Sequence, residues 1–98
     1  MDKFYSMLGL GKKAGYISSG ETSCIQDVKK KKTSLLILAE DSSENTKDTF
    51  LKLCRRNNIR YIITGEKEKL GHAIGKSLTA IISIRDLNFS NAILKIIK

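Results

Sequence analysis

Proline and tryptophan are absent from this 98-residue chain, histidine occurs once and cysteine twice. The lack of proline suits a chain of regular elements joined by short turns. His72 has no histidine or cysteine at ligand spacing and no serine motif around it, which argues against a catalytic or metal-binding role. Cys24 and Cys54 form no C-x-x-C or Cys/His pattern, so no zinc site is expected. Each falls on the apolar side of a predicted helix and reads as a reduced, buried thiol. No apolar run approaches the length needed to cross a bilayer. The opening residues Met1-Asp2-Lys3-Phe4-Tyr5-Ser6 lack the basic-then-apolar layout of a signal peptide. These absences lead us to expect a cytoplasmic protein with no cofactor, no metal and no membrane contact. Tyr5, Tyr16, Tyr61 and three phenylalanines are the only aromatics, and their spacing assigns them to the core rather than to a base-stacking platform.

What is present is a globular composition and a strong positive charge. The hydrophobic fraction of 41% suits a single domain over residues 1–98 with a modest core. The net charge of +8, from 18 basic and 10 acidic residues, points to a polyanionic partner, usually nucleic acid. Lys12, Lys13 and the four lysines at 29–32 lie in the first third, opposed there by Asp2, Glu21 and Asp27.

Hydrophobic periodicity orders the chain. Phe4, Met7 and Leu8 predict a helix over residues 3–13, ended by Gly15. Tyr16-Ile17-Ser18 has room for a very short strand. Ser18 and Glu21 match the S-x-x-E capping box of a second helix over about residues 21–31, with Cys24, Ile25 and Val28 on its apolar face. Leu35-Leu36-Ile37-Leu38-Ala39 is apolar without alternation, as in a strand covered on both faces. Asp41 or Ser42 is expected to cap a third helix with Glu44 in its first turn and Phe50, Leu53 and Cys54 inside; capping accounts for Glu40 and Asp41 without catalysis. Residues 59–64 are β-rich and read as a second core strand. Leu70, Ala73 and Ile74 mark a fourth helix, in which Gly71 and Gly75 suggest close packing against a neighbour. Their spacing excludes a phosphate-binding G-x-x-x-x-G-K-[ST] loop, although Lys76-Ser77 follows. Residues 79–84 form a further strand, and Phe89, Ala92, Ile93, Ile96 and Ile97 a last helix. Helices alternating with buried strands imply an α/β protein, a three-layer α/β/α sandwich.

The start of the second helix is the most suggestive element. Gly20 lets a foreign backbone approach closely. The unpaired N–H groups and positive dipole end beyond it suit a phosphate or a polar base edge.

Three blocks carry a resemblance: Lys12-Lys13-Ala14-Gly15-Tyr16-Ile17-Ser18-Ser19-Gly20-Glu21, Leu35-Leu36-Ile37-Leu38-Ala39-Glu40-Asp41 and Leu70-Gly71-His72-Ala73-Ile74-Gly75-Lys76. In order and spacing the chain resembles the kink-turn RNA-binding ribosomal protein family, of L-seven-Ae and L-thirty-e type, and most closely its small bacterial ribosomal-protein-like members. The resemblance implies a four-stranded mixed sheet between helical layers. It also implies a structured RNA partner with a kinked internal loop, ribosome association included. Residues matching the family's base-reading positions are Gly20, Glu21, Thr22, Ser23 and Gln26, with Lys29 and Lys30 beside phosphates. The loop that covers an extruded base corresponds to Lys76, Ser77, Leu78 and Thr79. Stronger kink-turn binders have Asn-Glu where this chain has Thr22-Ser23, and Lys where it has Gln26; Tyr16 replaces a common lysine. The phosphate half of recognition is thus retained and the base half altered. The alternative is a protein-interaction module on the same fold with a weakened RNA surface.

Overall fold

The computed structural model describes residues 2–97. The elements run α1 (Asp2–Lys13), β1 (Ile17–Ser19), α2 (Glu21–Lys29), β2 (Leu35–Leu38), α3 (Glu44–Asn57), β3 (Arg60–Ile63), α4 (Lys67–Ala73), β4 (Ile81–Ile84) and α5 (Leu87–Ile97). The strands form one mixed sheet in the order β1-β4-β2-β3. β2 and β3 are parallel, as their crossover through α3 requires, while β4 runs antiparallel to both β1 and β2. This is the expected three-layer α/β/α sandwich with a four-stranded mixed sheet.

The alternation of side chains along the strands divides the core in two. Leu35, Ile37, Ile82 and Ile84 face one way and meet Phe4 and Leu8 of α1, Leu70 of α4 and Ile93 of α5. Leu36, Leu38 and Ile81 face the other way and meet Cys24 and Val28 of α2 and Phe50, Leu53 and Cys54 of α3. Every residue of β2 and β4 is buried, which is why their sequences show no alternation. Each fully buried Leu or Ile contributes about 1.5–3 kcal/mol, so these two central strands anchor the domain.

Four expectations need correction. β3 is an edge strand rather than a core strand: Arg60, Tyr61 and Ile63 are exposed and only Ile62 packs against the core. Tyr16 and Tyr61 are likewise at the surface, each 36% exposed, whereas Phe4 and Phe50 are fully buried. The cap of α3 is Ser43, whose side chain accepts a hydrogen bond from the Thr46 N–H at 3.1 Å. Ser42 instead donates to the Ala39 carbonyl, and the Asp41 carboxylate accepts from the Lys67 N–H at 2.9 Å, at the start of α4. The Ser18–Glu21 capping box does not form. Ser18 belongs to β1, opposite Ser83, and the helix begins after Gly20, which has no side chain to cap with. Strand pairing outcompetes the local motif.

Candidate nucleic-acid interface

Because β1, β2 and β3 point the same way and β4 the other, the sheet has two distinct ends. At one, which we call the front, three strands finish and β4 begins. Gly20 stands there with φ 88° and ψ 157°, a conformation open in practice only to glycine. Its N–H donates to the Ile81 carbonyl at 3.3 Å, and its carbonyl accepts from the Cys24 N–H at 3.1 Å. The backbone is thereby swung from the edge strand directly into α2. With no side-chain cap, the first-turn N–H groups of Glu21, Thr22 and Ser23 face outward, and these three residues and Gln26 are exposed.

The second sequence-predicted group reaches the same end. The Ala80 carbonyl accepts from the Ala39 N–H at 2.9 Å, and the Thr79 N–H donates to the Lys67 carbonyl at 3.0 Å. This ties the loop before β4 to the end of β2 and the start of α4, one residue from where Gly20 meets Ile81. Gly71 makes the loop's path possible: a Cβ there would lie 2.9 Å from the Ser77 backbone. The close packing expected of this glycine is therefore against its own following loop. Lys76 and Ser77 are exposed and Leu78 is 63% exposed, an apolar side chain held out at the front. Thr79 is buried, so it secures the loop rather than presenting a contact. A groove of about 750 Å³ runs beside this loop between α1 and α4, lined by Tyr5, Gly9, Lys69, His72, Lys76 and Ser77.

Charge around the front is mixed. Glu21, Glu40, Asp41 and Glu44 lie there with Lys47, whose ammonium donates to the Glu40 carbonyl at 2.7 Å, and with Lys67. Sequence reasoning missed this, because these residues come from loops far apart in the chain. The lysine run is not at the front either. Lys29 ends the nine-residue α2 and Lys30 is its C-cap, about 15 Å along the helix axis from Gly20. The helix thus presents polar groups at its start and cations at its finish.

At the opposite end, the back, three helices stop. Lys12 and Lys13 close α1, and Lys29 closes α2 with Lys30, Lys31 and Lys32 just beyond. Arg55 and Arg56 lie in the last turn of α3, Arg60 opens β3 and Arg85 follows β4. Asp27 and Asp86 are the acids of that end among the described residues. Asp27 is buried and one of its oxygens has no partner there, while Asp86 caps α5 by accepting from the Phe89 N–H at 2.8 Å.

The thiols take no part in either end. Burial pushes Cys24 up to about 12, with the negative charge of Asp27 adding to the effect, and burial alone pushes Cys54 up to about 11. Both are free. Among the described residues no group of three or more His, Cys, Asp and Glu is placed to hold a metal ion, and no helix is long and apolar enough to cross a membrane.

The pattern of the "Ribosomal protein L7Ae/L30e/S12e/Gadd45 family" matches residues 2–94 of this fold. The chain belongs to that family. The chain is 26% identical over 95 residues to RNA-binding protein YlxQ of Bacillus subtilis, covering 97% of this chain and 95% of that one. A solved structure from Bacillus halodurans, described as a protein of unknown function, superposes with a TM-score of 0.91 at 32% identity over 97% of this chain and 96% of its own. The Giardia lamblia 15.5kD RNA binding protein shares the fold at a TM-score of 0.77 and 22% identity, covering 95% of this chain and 80% of its own.

Proposed function

We propose that this protein binds structured RNA at a kinked or related internal loop, without catalysis, as a ribosome-associated or regulatory factor of the cytoplasm. The observation that carries the reading is the uncapped start of α2 at Gly20, set against the loop of Lys76, Ser77 and Leu78. An internal loop offers unstacked bases and exposed edges, which the deep, narrow major groove of a continuous A-form helix does not. Outward N–H groups with the hydroxyls of Thr22 and Ser23 and the amide of Gln26 suit base edges, since each can donate a hydrogen bond and the side chains can also accept one. Leu78 offers an apolar cover for an extruded base. Lys29 and Lys30 lie where the strand leaving the front would pass along α2. Family membership and the similarity to the Bacillus subtilis RNA-binding protein YlxQ support the same reading.

The test compares affinity for an RNA carrying a kinked internal loop of sheared G·A pairs with affinity for the same RNA in which those pairs are replaced by Watson–Crick pairs. The reading expects preference for the kinked RNA and its loss in Thr22→Ala/Ser23→Ala. Equal affinity for the two RNAs would overturn it. The alternative, a protein-interaction module, draws on the open edge of β3, where Tyr61 and Ile63 are exposed. It would gain if partners captured from lysate were unchanged by nuclease treatment.

A further inference from the structure

The net charge of +8 is not spread over the molecule. The cations at the ends of α1, α2 and α3 and at Arg60 and Arg85 converge on the back because backbone pairing brings their segments together. The Arg85 N–H donates to the Tyr16 carbonyl at 2.9 Å and its guanidinium to the Gly15 carbonyl at 2.8 Å, two residues from Lys13. The Ser34 N–H donates to the Ile84 carbonyl at 2.7 Å, two residues from Lys32. Leu35 pairs with Arg60, which extends the band to β3. The ion pairs among the described residues are Lys52–Asp48 and Lys69–Glu66, neither of which belongs to this end.

Two ordinary explanations fall short in magnitude. Cations suit helix C-termini, but each terminus carries only about half an elementary charge, so three of them together offset about one and a half cations. Solubility is served by dispersed charge, whereas concentrating it costs self-repulsion. Lys31 sharpens the point. It adopts φ 59°, an uncommon left-handed conformation for a lysine, as the chain turns off α2 with the Lys32 N–H bonded to the Asp27 carbonyl at 2.9 Å. The turn keeps Lys30, Lys31 and Lys32 all exposed.

We infer that the back of the sheet is a second RNA-binding surface, contacting the phosphate backbone of a duplex segment, so that one molecule holds two stretches of RNA at opposite ends. A band spread over three helix ends and two strands fits a polymer with evenly spaced charges, since a small anion meets only a few of its members. Such contacts are independent of sequence and strongly dependent on salt. Tyr16 is exposed beside the band and rests on Phe89, with ring centroids 5.5 Å apart. The choice of RNA over another polyanion rests on the reading of the front.

The experiment uses the full chain and a blunt RNA duplex without an internal loop, titrated at several salt concentrations. Two variants probe the back at separate sites, Lys12→Gln/Lys13→Gln and Arg55→Gln/Arg56→Gln, and Thr22→Ala/Ser23→Ala probes the front. Thermal melts confirm that each is folded. The inference expects wild type to bind the duplex, each back variant to bind it about tenfold more weakly with a salt slope lower by about two, and the front variant to bind it unchanged. It is overturned if wild type does not bind the duplex, if the back variants match wild type, or if wild type prefers anionic phospholipid vesicles to the duplex. The front fails separately: loss of preference for kinked RNA with duplex binding intact would overturn that reading and leave this one standing.

Discussion

The two ends of the sheet are built from the same strands and differ in almost everything else. The front is made by backbone: a glycine outside the range of other residues, an uncapped helix start and a loop lodged against Gly71, with charges of both signs around it. The back is made by side chains: lysines and arginines at the ends of three helices, with Asp27 buried and Asp86 occupied by capping. Shape and hydrogen-bond direction discriminate between ligands, while concentrated charge attracts all polyanions alike. On the readings proposed above, the difference teaches how one domain would separate discrimination from attraction, by placing them at opposite ends of one sheet.

The largest expected effect removes what the ends share. Ile37 is fully buried at the centre of the sheet, and Ile37→Ala should cost about 2–5 kcal/mol, lowering the thermal midpoint and abolishing binding at both ends on warming. Survival of either binding activity above the new midpoint would break the idea of a common scaffold. Next, Gly20→Ala should strain only the front. A Cβ there meets no atom within 4 Å, so the cost is backbone alone, about 1–3 kcal/mol. Chemical denaturation should record that loss, with kinked-RNA preference reduced and duplex binding retained. Unchanged stability would mean that the turn relaxes.

Smaller effects sharpen the contrast. Thr22→Ala/Ser23→Ala should leave the thermal midpoint unchanged, because both side chains are exposed, while lowering preference for kinked RNA by about 0.5–1.5 kcal/mol per hydrogen bond lost. Lys29→Ala should weaken binding to all RNAs about equally and lower the salt slope by about one. Raising pH tests the core beneath α2 and α3. The folded-state values of Cys24 and Cys54, about 12 and about 11, lie above the ordinary 9.0, so folding favours the protonated thiols. That contribution is fully present below pH 9 and is lost as pH rises toward 12, the native thiols staying inert to disulfide reagents until the fold opens. Rapid labelling of native protein at pH 8 would contradict it.

Much of the scaffold was legible in the sequence, and the reasons are local. Leu35-Leu36-Ile37-Leu38 and Ile81-Ile82-Ser83-Ile84 lack alternation because helices cover both faces, and the helical faces of Phe4, Phe50 and Ile93 followed from spacing. What was misread depended on distant partners. Residues 60–63 are as β-rich as a core strand, yet nothing within them says that β4 pairs on the far side of β2 and leaves β3 at the edge. Ser18 looked like a helix cap until Ser83 claimed its backbone. A run of polar residues at 40–43 offered several caps, and only the geometry selected Ser43. The residues of the front were within reach through the glycine and the family resemblance. The placement of the cations was not, since their convergence depends on strand direction and register.

The salt dependence of discrimination tests the account most directly. Affinities for the kinked RNA and its Watson–Crick counterpart are measured side by side from about 50 to 200 mM salt, a range over which several phosphate contacts change affinity by orders of magnitude. The account predicts that both affinities fall steeply and in parallel, so that their ratio stays constant. A ratio that collapses toward one as salt rises would show that the same cations both attract and discriminate, contradicting the division between the two ends.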